Sequence, residues 1–173
     1  TGSLNVGNSG TLIRLISGIL AGNTFSVRLD GDDSIRKRPM ARIIDPLEKM
    51  GAEIHSNEGK PPLHVNGGRL KGIEYRSSVA SAQVKSCILL AGLHASGDTV
   101  FEEPNQSRDH TERMIRWMGY PVSIEGRSIT VSGPRKLEPI DMNVPADISS
   151  ASFFIAAALG AKEGVVRLPR VGI

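Results

Sequence analysis

The chain repeats its own pattern. Helix, strand, second helix and hairpin are predicted over residues 8–66 and again over residues 81–132. Ile19-Leu20-Ala21-Gly22 answers Leu89-Leu90-Ala91-Gly92, and Met50-Gly51-Ala52 answers Met118-Gly119-Tyr120. The offset is roughly 70 residues, beyond the ~20 to 50 of common solenoid repeats. Each copy pairs helices and strands in the same order. Both copies open their helices with small or polar residues and with arginine, so two matched anion-binding rims are the first functional expectation.

In the first copy, Leu12, Ile13, Leu15, Ile16, Ile19 and Leu20 recur at helical spacing after Asn8 and Ser9, and Gly22 stops the helix. Residues 25–29 alternate as a half-buried strand and end in the turn-forming Asp30-Gly31-Asp32-Asp33. Pro39 is placed at the first turn of a second helix that carries Ile43, Ile44, Leu47 and Met50 inward, with Gly51 as its cap. Pro46 should bend or divide that helix. Residues 53–55 and 63–65 predict a hairpin, and residues 73–75 a further strand.

The second copy predicts a helix over 83–93, a strand over 99–102, a helix over 111–118 and a hairpin of 122–124 with 129–131. A third cycle then starts with a helix over 149–159 and a strand over 165–168. The first cycle is expected to open without the strand that would feed its helix. The class is α/β (α+β), with helices on one side of mixed sheets. Helix-inward packing about a pseudo-threefold axis and a three-layer sandwich would both show this pattern.

At 173 residues the chain suits one domain, or one domain and part of another. Cys87 is the only cysteine, so no internal disulfide forms, and its apolar surroundings predict a buried, inert thiol. Lys and Arg number 21 against 18 Asp and Glu, a mild excess that suits a small anion. One Trp, two Tyr and four Phe are too few for a base-stacking platform, so nucleic acid is not an expected partner. The longest apolar run, residues 152–161, is about half of a bilayer span, and no leader pattern is present. The expected setting is the cytoplasm, or a plastid if the source is a plant.

Gly7-Asn8-Ser9-Gly10-Thr11 sets two glycines and three small polar residues at a helix start, where backbone N–H groups lack partners and the dipole is positive. Either Asn8 or Ser9 caps the helix, or an anion sits there. A Walker loop is excluded because the Gly-Lys-Ser/Thr ending is missing. Arg36-Lys37-Arg38 concentrates three cations before Pro39, and Arg108 stands at the corresponding place in the second copy. Ser81-Ala82-Gln83 offers a hydroxyl and an amide at another helix start, and Lys85 follows within one turn as a candidate for ligand hydroxyls or phosphate. Ser107-Arg108-Asp109-His110 supplies a guanidinium for phosphate, with Asp109 and Thr111 as caps. Asp147 with Ser149 and Ser150 reads as another cap, beside a crossing between domains. His55, His64, His94 and His110 have no partner at ligand spacing, so no metal site is expected.

Taken in order, Gly7-Asn8-Ser9-Gly10-Thr11, Lys37-Arg38-Pro39-Met40, Ala80-Ser81-Ala82-Gln83-Val84-Lys85-Ser86, Ser107-Arg108-Asp109-His110-Thr111-Glu112 and Pro145-Ala146-Asp147-Ile148-Ser149-Ser150-Ala151 resemble the 5-enolpyruvylshikimate-3-phosphate synthase family. The resemblance spans essentially the whole chain and is nearest the bacterial branch that includes glyphosate-tolerant enzymes. It implies the inside-out barrel of the enolpyruvyl transferases, built from βαβαββ units with helices inward and mixed sheets outside. Residues 1–144 would be the last two units of the first domain, and residues 145–173 the crossover and the start of the second.

The implied reaction moves the enolpyruvyl group of phosphoenolpyruvate to the 5-hydroxyl of shikimate 3-phosphate through a tetrahedral adduct, with no metal or organic cofactor. By the resemblance, Ser81, Ala82, Gln83 and Arg108 hold shikimate 3-phosphate, and Asn8, Gly10, Thr11 and Arg38 hold phosphoenolpyruvate. Ser107 and Asp147 are further candidates. Gly10 stands where glyphosate-tolerant relatives carry a methyl group. The family's early Lys-Ser loop and its late acidic and arginine motifs are missing, so the catalytic set is incomplete and the chain alone is expected not to turn over. Its remaining partner is the rest of a two-domain enzyme, expected to be monomeric. The competing readings are a UDP-N-acetylglucosamine enolpyruvyl transferase, for which Cys87 is in the wrong context, a non-catalytic binding fragment, and the RNA 3′-phosphate cyclase scaffold.

Overall fold

The computed structural model describes residues 2–172. Contacts divide them into a first unit ending at Glu138 and a second beginning at Pro139. The first unit holds both copies. One comprises β1 (Gly2–Asn5), α1 (Gly10–Ala21), β2 (Ser26–Asp30), a 3-10 turn (Ile35–Lys37), α2 (Ala41–Lys49), β3 (Glu53–Asn57) and β4 (Lys60–Asn66). The other comprises β5 (Glu74–Arg76), α3 (Ala82–Gly92), β6 (Gly97–Glu102), α4 (His110–Trp117), β7 (Val122–Glu125) and β8 (Ser128–Gly133). Both are βαβαββ units. Their sheets run β1-β2-β4-β3 and β5-β6-β8-β7, each with one parallel pair followed by antiparallel ones. The α/β class and the repeat inferred from the sequence are those of the structure.

The first copy does have its feeding strand, contrary to expectation. Gly2-Ser3-Leu4-Asn5 lacks apolar alternation and is exposed throughout, so only its parallel ladder with residues 27–30 of β2 makes it a strand. Pro39 precedes α2 rather than opening it, and α2 continues unbroken through Pro46. Ile43, Ile44, Pro46 and Leu47 are all buried, and this packing holds the helix together across the missing N–H. Gly51 ends it at φ +105°.

Helices α1 and α3 face each other, α1 also packing on β4 of its own sheet and α3 on β6 and β8 of the other. The helices thus lie between the sheets. The buried face of α1 is only part of the expected apolar stripe: Ile13 and Leu20 are buried and Ile16 packs on the core, but Leu12 and Ile19 are exposed and Ser17 and Gly18 take part in the buried face. A methyl at Gly18 would fall 3.0 Å from the carbonyl carbon of Cys87 and closer still to its oxygen. The two backbones meet at that point. Residues 84–89 of α3 are all buried, as befits a helix enclosed on every side. Cys87 lies at this contact, and burial pushes its thiol up to about 12.

In the second unit α5 (Ile148–Gly160) is capped by Asp147, whose carboxylate accepts the Ser149 and Ser150 amides at 3.0 Å each. These amides hold the Asp147 carboxyl below its usual range. The strand expected over 165–168 does not form. Its Val165 is exposed, and the local pairing is a single bridge of Ala146 with Val171. Among the described residues no helix is long and apolar enough to cross a membrane.

Candidate functional site

The repeat places equivalent serines at the starts of the two central helices. Ser9 Oγ accepts the Leu12 amide at 3.1 Å and Ser81 Oγ accepts the Val84 amide at 3.4 Å. Each cap satisfies one amide, and others at the same turn stay available to an anion. Because α1 and α3 pack side by side, their N-terminal ends meet: the Gln83 side-chain amide donates to Thr11 Oγ1 at 2.8 Å. Ser86 Oγ and Thr111 Oγ1, 2.6 Å apart, join α3 to the start of α4 in the same way.

These three helix starts surround a cleft of about 160 Å³. Thr11 and Leu15 of α1 line it with Ala82, Gln83 and Ser86 of α3, and with Arg108, His110 and Thr111 around the start of α4. Four residues expected at the site therefore line one cavity: Thr11, Ala82, Gln83 and Arg108. Among the described residues Arg108 has no carboxylate partner, which leaves its guanidinium available for an anion. A larger cavity of about 620 Å³ lies at the other end of α3, between Leu93, His94 and residues 134–137. None of the expected site residues reaches it.

Beside the cleft the other half of the expected set is assembled. Arg38 Nη2 donates to Asn8 Oδ1 at 2.9 Å. A methyl on Gly10 would lie 2.6 Å from Arg38 Nη1 and 2.9 Å from Arg14 Nη1, so both guanidiniums lie over the Gly10 backbone. Of the three cations concentrated before Pro39, Arg36 is taken by Asp30, with Nε–Oδ1 at 2.9 Å and Nη2–Oδ2 at 3.0 Å. Arg38 thus remains facing Asn8 and Gly10.

Arg14 is the residue the sequence reading missed. Its Nη1 donates to the Gly10 carbonyl at 2.9 Å and its Nη2 to the Pro39 carbonyl at 3.1 Å, tying the start of α1 to the segment that carries Arg38. Burial first, then the charges of Arg38 and Arg42, lower the Arg14 pKa. An anion placed among these cations would relieve that repulsion. The available signal was spacing, since position 14 lies one helical turn from Gly10 on the same face.

Other residues singled out in the sequence are placed away from the cleft or are engaged elsewhere. Lys85 is not a ligand group: it is 1% exposed and bonded to the buried carboxylates of Glu112 at 2.7 Å and Glu103 at 3.3 Å. Ser107 is not among the residues lining the cleft, and its hydroxyl donates to Glu103 Oε2 at 2.6 Å. Asp109 holds the N-cap position of α4 without a side-chain bond, and Thr111 bonds Ser86 rather than a helix amide. Asp147 belongs to the second unit, where it caps α5. Among the described residues no group of three or more His, Cys, Asp or Glu is placed to hold a metal ion.

A family model described as EPSP synthase (3-phosphoshikimate 1-carboxyvinyltransferase) matches residues 1–173. The chain is 54% identical over 172 residues to the 3-phosphoshikimate 1-carboxyvinyltransferase of Coxiella burnetii, covering 99% of this chain and 39% of that protein. It is 52% identical to that of Bacillus subtilis, over 98% of this chain and 40% of the relative. A solved structure, EPSP synthase from Acinetobacter baumannii, superposes with a TM-score of 0.82 at 51% identity over 91% of this chain and 36% of that one. The chain thus spans about two-fifths of the length of the curated relatives it matches. With a family model matched from end to end and relatives more than half identical across nearly all of its residues, the chain belongs to the EPSP synthase family.

Proposed function

We propose that this chain supplies the shikimate 3-phosphate side, and part of the phosphoenolpyruvate side, of an enzyme that moves an enolpyruvyl group to the 5-hydroxyl of shikimate 3-phosphate and releases phosphate. The observation that carries the reading is the meeting of three helix starts in one unit, with Arg108, Gln83 and Thr11 on a single cleft and Arg38, Asn8 and Gly10 beside it. Ser81, Ala82, Gln83 and Arg108 hold shikimate 3-phosphate. Asn8, Gly10, Thr11 and Arg38, braced by Arg14, hold phosphoenolpyruvate. The site is rich in donors, which suits two anions held side by side and the charge that develops in their tetrahedral adduct.

Proton transfer and the remaining phosphoenolpyruvate contacts are assigned to parts of the full-length enzyme outside residues 1–173. Residues 1–144 are assigned to the first domain and residues 145–173 to the crossover and the opening of the second. The partner is the remainder of the enzyme, which works as a cytoplasmic monomer.

Calorimetry of the protein with shikimate 3-phosphate tests the reading. Binding is expected without phosphoenolpyruvate, and Arg108→Ala should weaken it by about 2 kcal/mol, the contribution of a charge-assisted hydrogen bond. Absence of heat with the parent protein would overturn the proposal. Residues 1–173 alone should release no phosphate from the two substrates together, and measurable release would refute the assignment of proton transfer to other segments.

A further inference from the structure

We infer that the buried cluster of Lys85, Glu103 and Glu112 positions Arg108 for its phosphate. The inference rests on the proposed role of Arg108 and adds what holds that residue in place.

The three side chains are 1%, 3% and 2% exposed, an unusual concentration of charge in the interior. Lys85 lies one helical turn past the Ser81 cap of α3, Glu103 directly after β6, and Glu112 in the first turn of α4. Lys85 Nζ reaches Glu112 Oε1 at 2.7 Å and Glu103 Oε1 at 3.3 Å, so one ammonium joins three elements. Burying such a cluster gives little net stability compared with apolar packing, so its value is sought in what it orders.

What it orders is the loop that leads to Arg108. Glu103 Oε1 accepts the Ser107 amide at 3.2 Å, and Glu103 Oε2 accepts the Ser107 hydroxyl at 2.6 Å. Lys85 Nζ also donates to the Ser107 carbonyl at 3.4 Å. Every polar group of Ser107 is therefore tied to the cluster, and the next residue is Arg108. Among the described residues the Arg108 side chain makes no hydrogen bond of its own, so what the cluster holds is the backbone from which that side chain projects. Ser107 and Lys85 line a cavity of about 60 Å³ that is separate in lining from the Arg108 cleft. The cluster supports the site from beneath without touching ligand, which makes Lys85, Glu103 and Ser107 positioning residues.

The test is a double-mutant cycle read by calorimetry on the full protein, with shikimate 3-phosphate and with unphosphorylated shikimate as probes. If the parent protein binds shikimate 3-phosphate, Ser107→Ala should weaken binding several-fold and Lys85→Met about tenfold or more, while shikimate binding stays within about twofold. In an Arg108→Ala background both effects on shikimate 3-phosphate should vanish, because the group being positioned is gone. Lys85→Met strands two buried carboxylates, so its fold is checked by melting. If it does not fold, Ser107→Ala, which leaves the ion cluster intact, decides alone. Equal binding by parent and Ser107→Ala, or losses that simply add in the Arg108→Ala background, would overturn the inference. A parent protein that binds neither probe would instead count against the proposed function.

Discussion

Replacing Gly18 by alanine should damage the fold more than the same change at Gly10, the other glycine of α1. The new Cβ would sit 3.0 Å from the Cys87 carbonyl carbon and 3.3 Å from its Cα, against an ordinary contact of 3.4–4 Å, with the carbonyl oxygen closer than either. These are backbone atoms and cannot swing aside, so α1 and α3 must separate by about 1 Å, which loosens a close-packed seam. Overpacking of this kind costs roughly 1–3 kcal/mol, and separation along the whole seam places it at the upper end. The better helix propensity of alanine returns up to about 1 kcal/mol. The net loss is about 2 kcal/mol, a fall in melting temperature of roughly 8 °C for a unit of this size. Thermal melts followed by circular dichroism measure it, with Gly68→Ala as the control, since a methyl there meets nothing within 4 Å. The separation also stretches the Thr11–Gln83 bond, so shikimate 3-phosphate affinity should fall with stability. A Gly18→Ala melt matching the control would refute the close-contact argument.

Gly10→Ala crowds only the flexible ends of Arg38 and Arg14, so the fold should survive; under the proposed function, a complete enzyme carrying this segment should show KM for phosphoenolpyruvate raised several-fold and weaker inhibition by glyphosate, and unchanged values for both would refute it. The paired guanidinium of Arg36 and the Gly31 amide hold buried Asp30 at about 2, below its ordinary 3.8. A depressed carboxyl pKa stabilises the fold above the unfolded value, and this contribution is lost as pH falls from about 4 to about 2. With Arg36 half-exposed it amounts to about 1–2 kcal/mol, and Asp30→Asn should flatten that part of the denaturation profile measured by urea. The Cys87 thiol, fully buried and raised to about 12, should react with a thiol reagent only as fast as the first unit opens; rapid labelling of the native protein would contradict its place between α1 and α3.

How much of this was legible depended on whether a feature is written in side-chain chemistry. The repeat, the Ser9 and Ser81 caps and the Asp147 cap follow from residue type and spacing. Strand β1 did not, because Gly2-Ser3-Leu4-Asn5 owes its conformation to backbone pairing with β2 and has no buried face to announce it. The orientation of α1 was read from its large residues, whereas a close crossing is made by the smallest ones, Ser17 and Gly18. Lys85 looked like a ligand group because nothing local reveals that Glu103 and Glu112 converge on it from other elements. Arg14 was hidden among leucines and isoleucines, and its part emerges only when Pro39 is seen beside Gly10. The segment 165–168 shows the reverse error: β-branched and apolar residues without a neighbouring strand in its unit leave it irregular.

A crystal structure of the protein with shikimate 3-phosphate tests the central claim most directly, because it locates the phosphate. The expected position is the cleft between α1, α3 and α4, with Arg108 forked on the phosphate and Ser81 and Gln83 within hydrogen-bond reach of the ligand. A ligand bound with Arg108 turned away, or seated at the cavity beside Leu93 and residues 134–137, would contradict it.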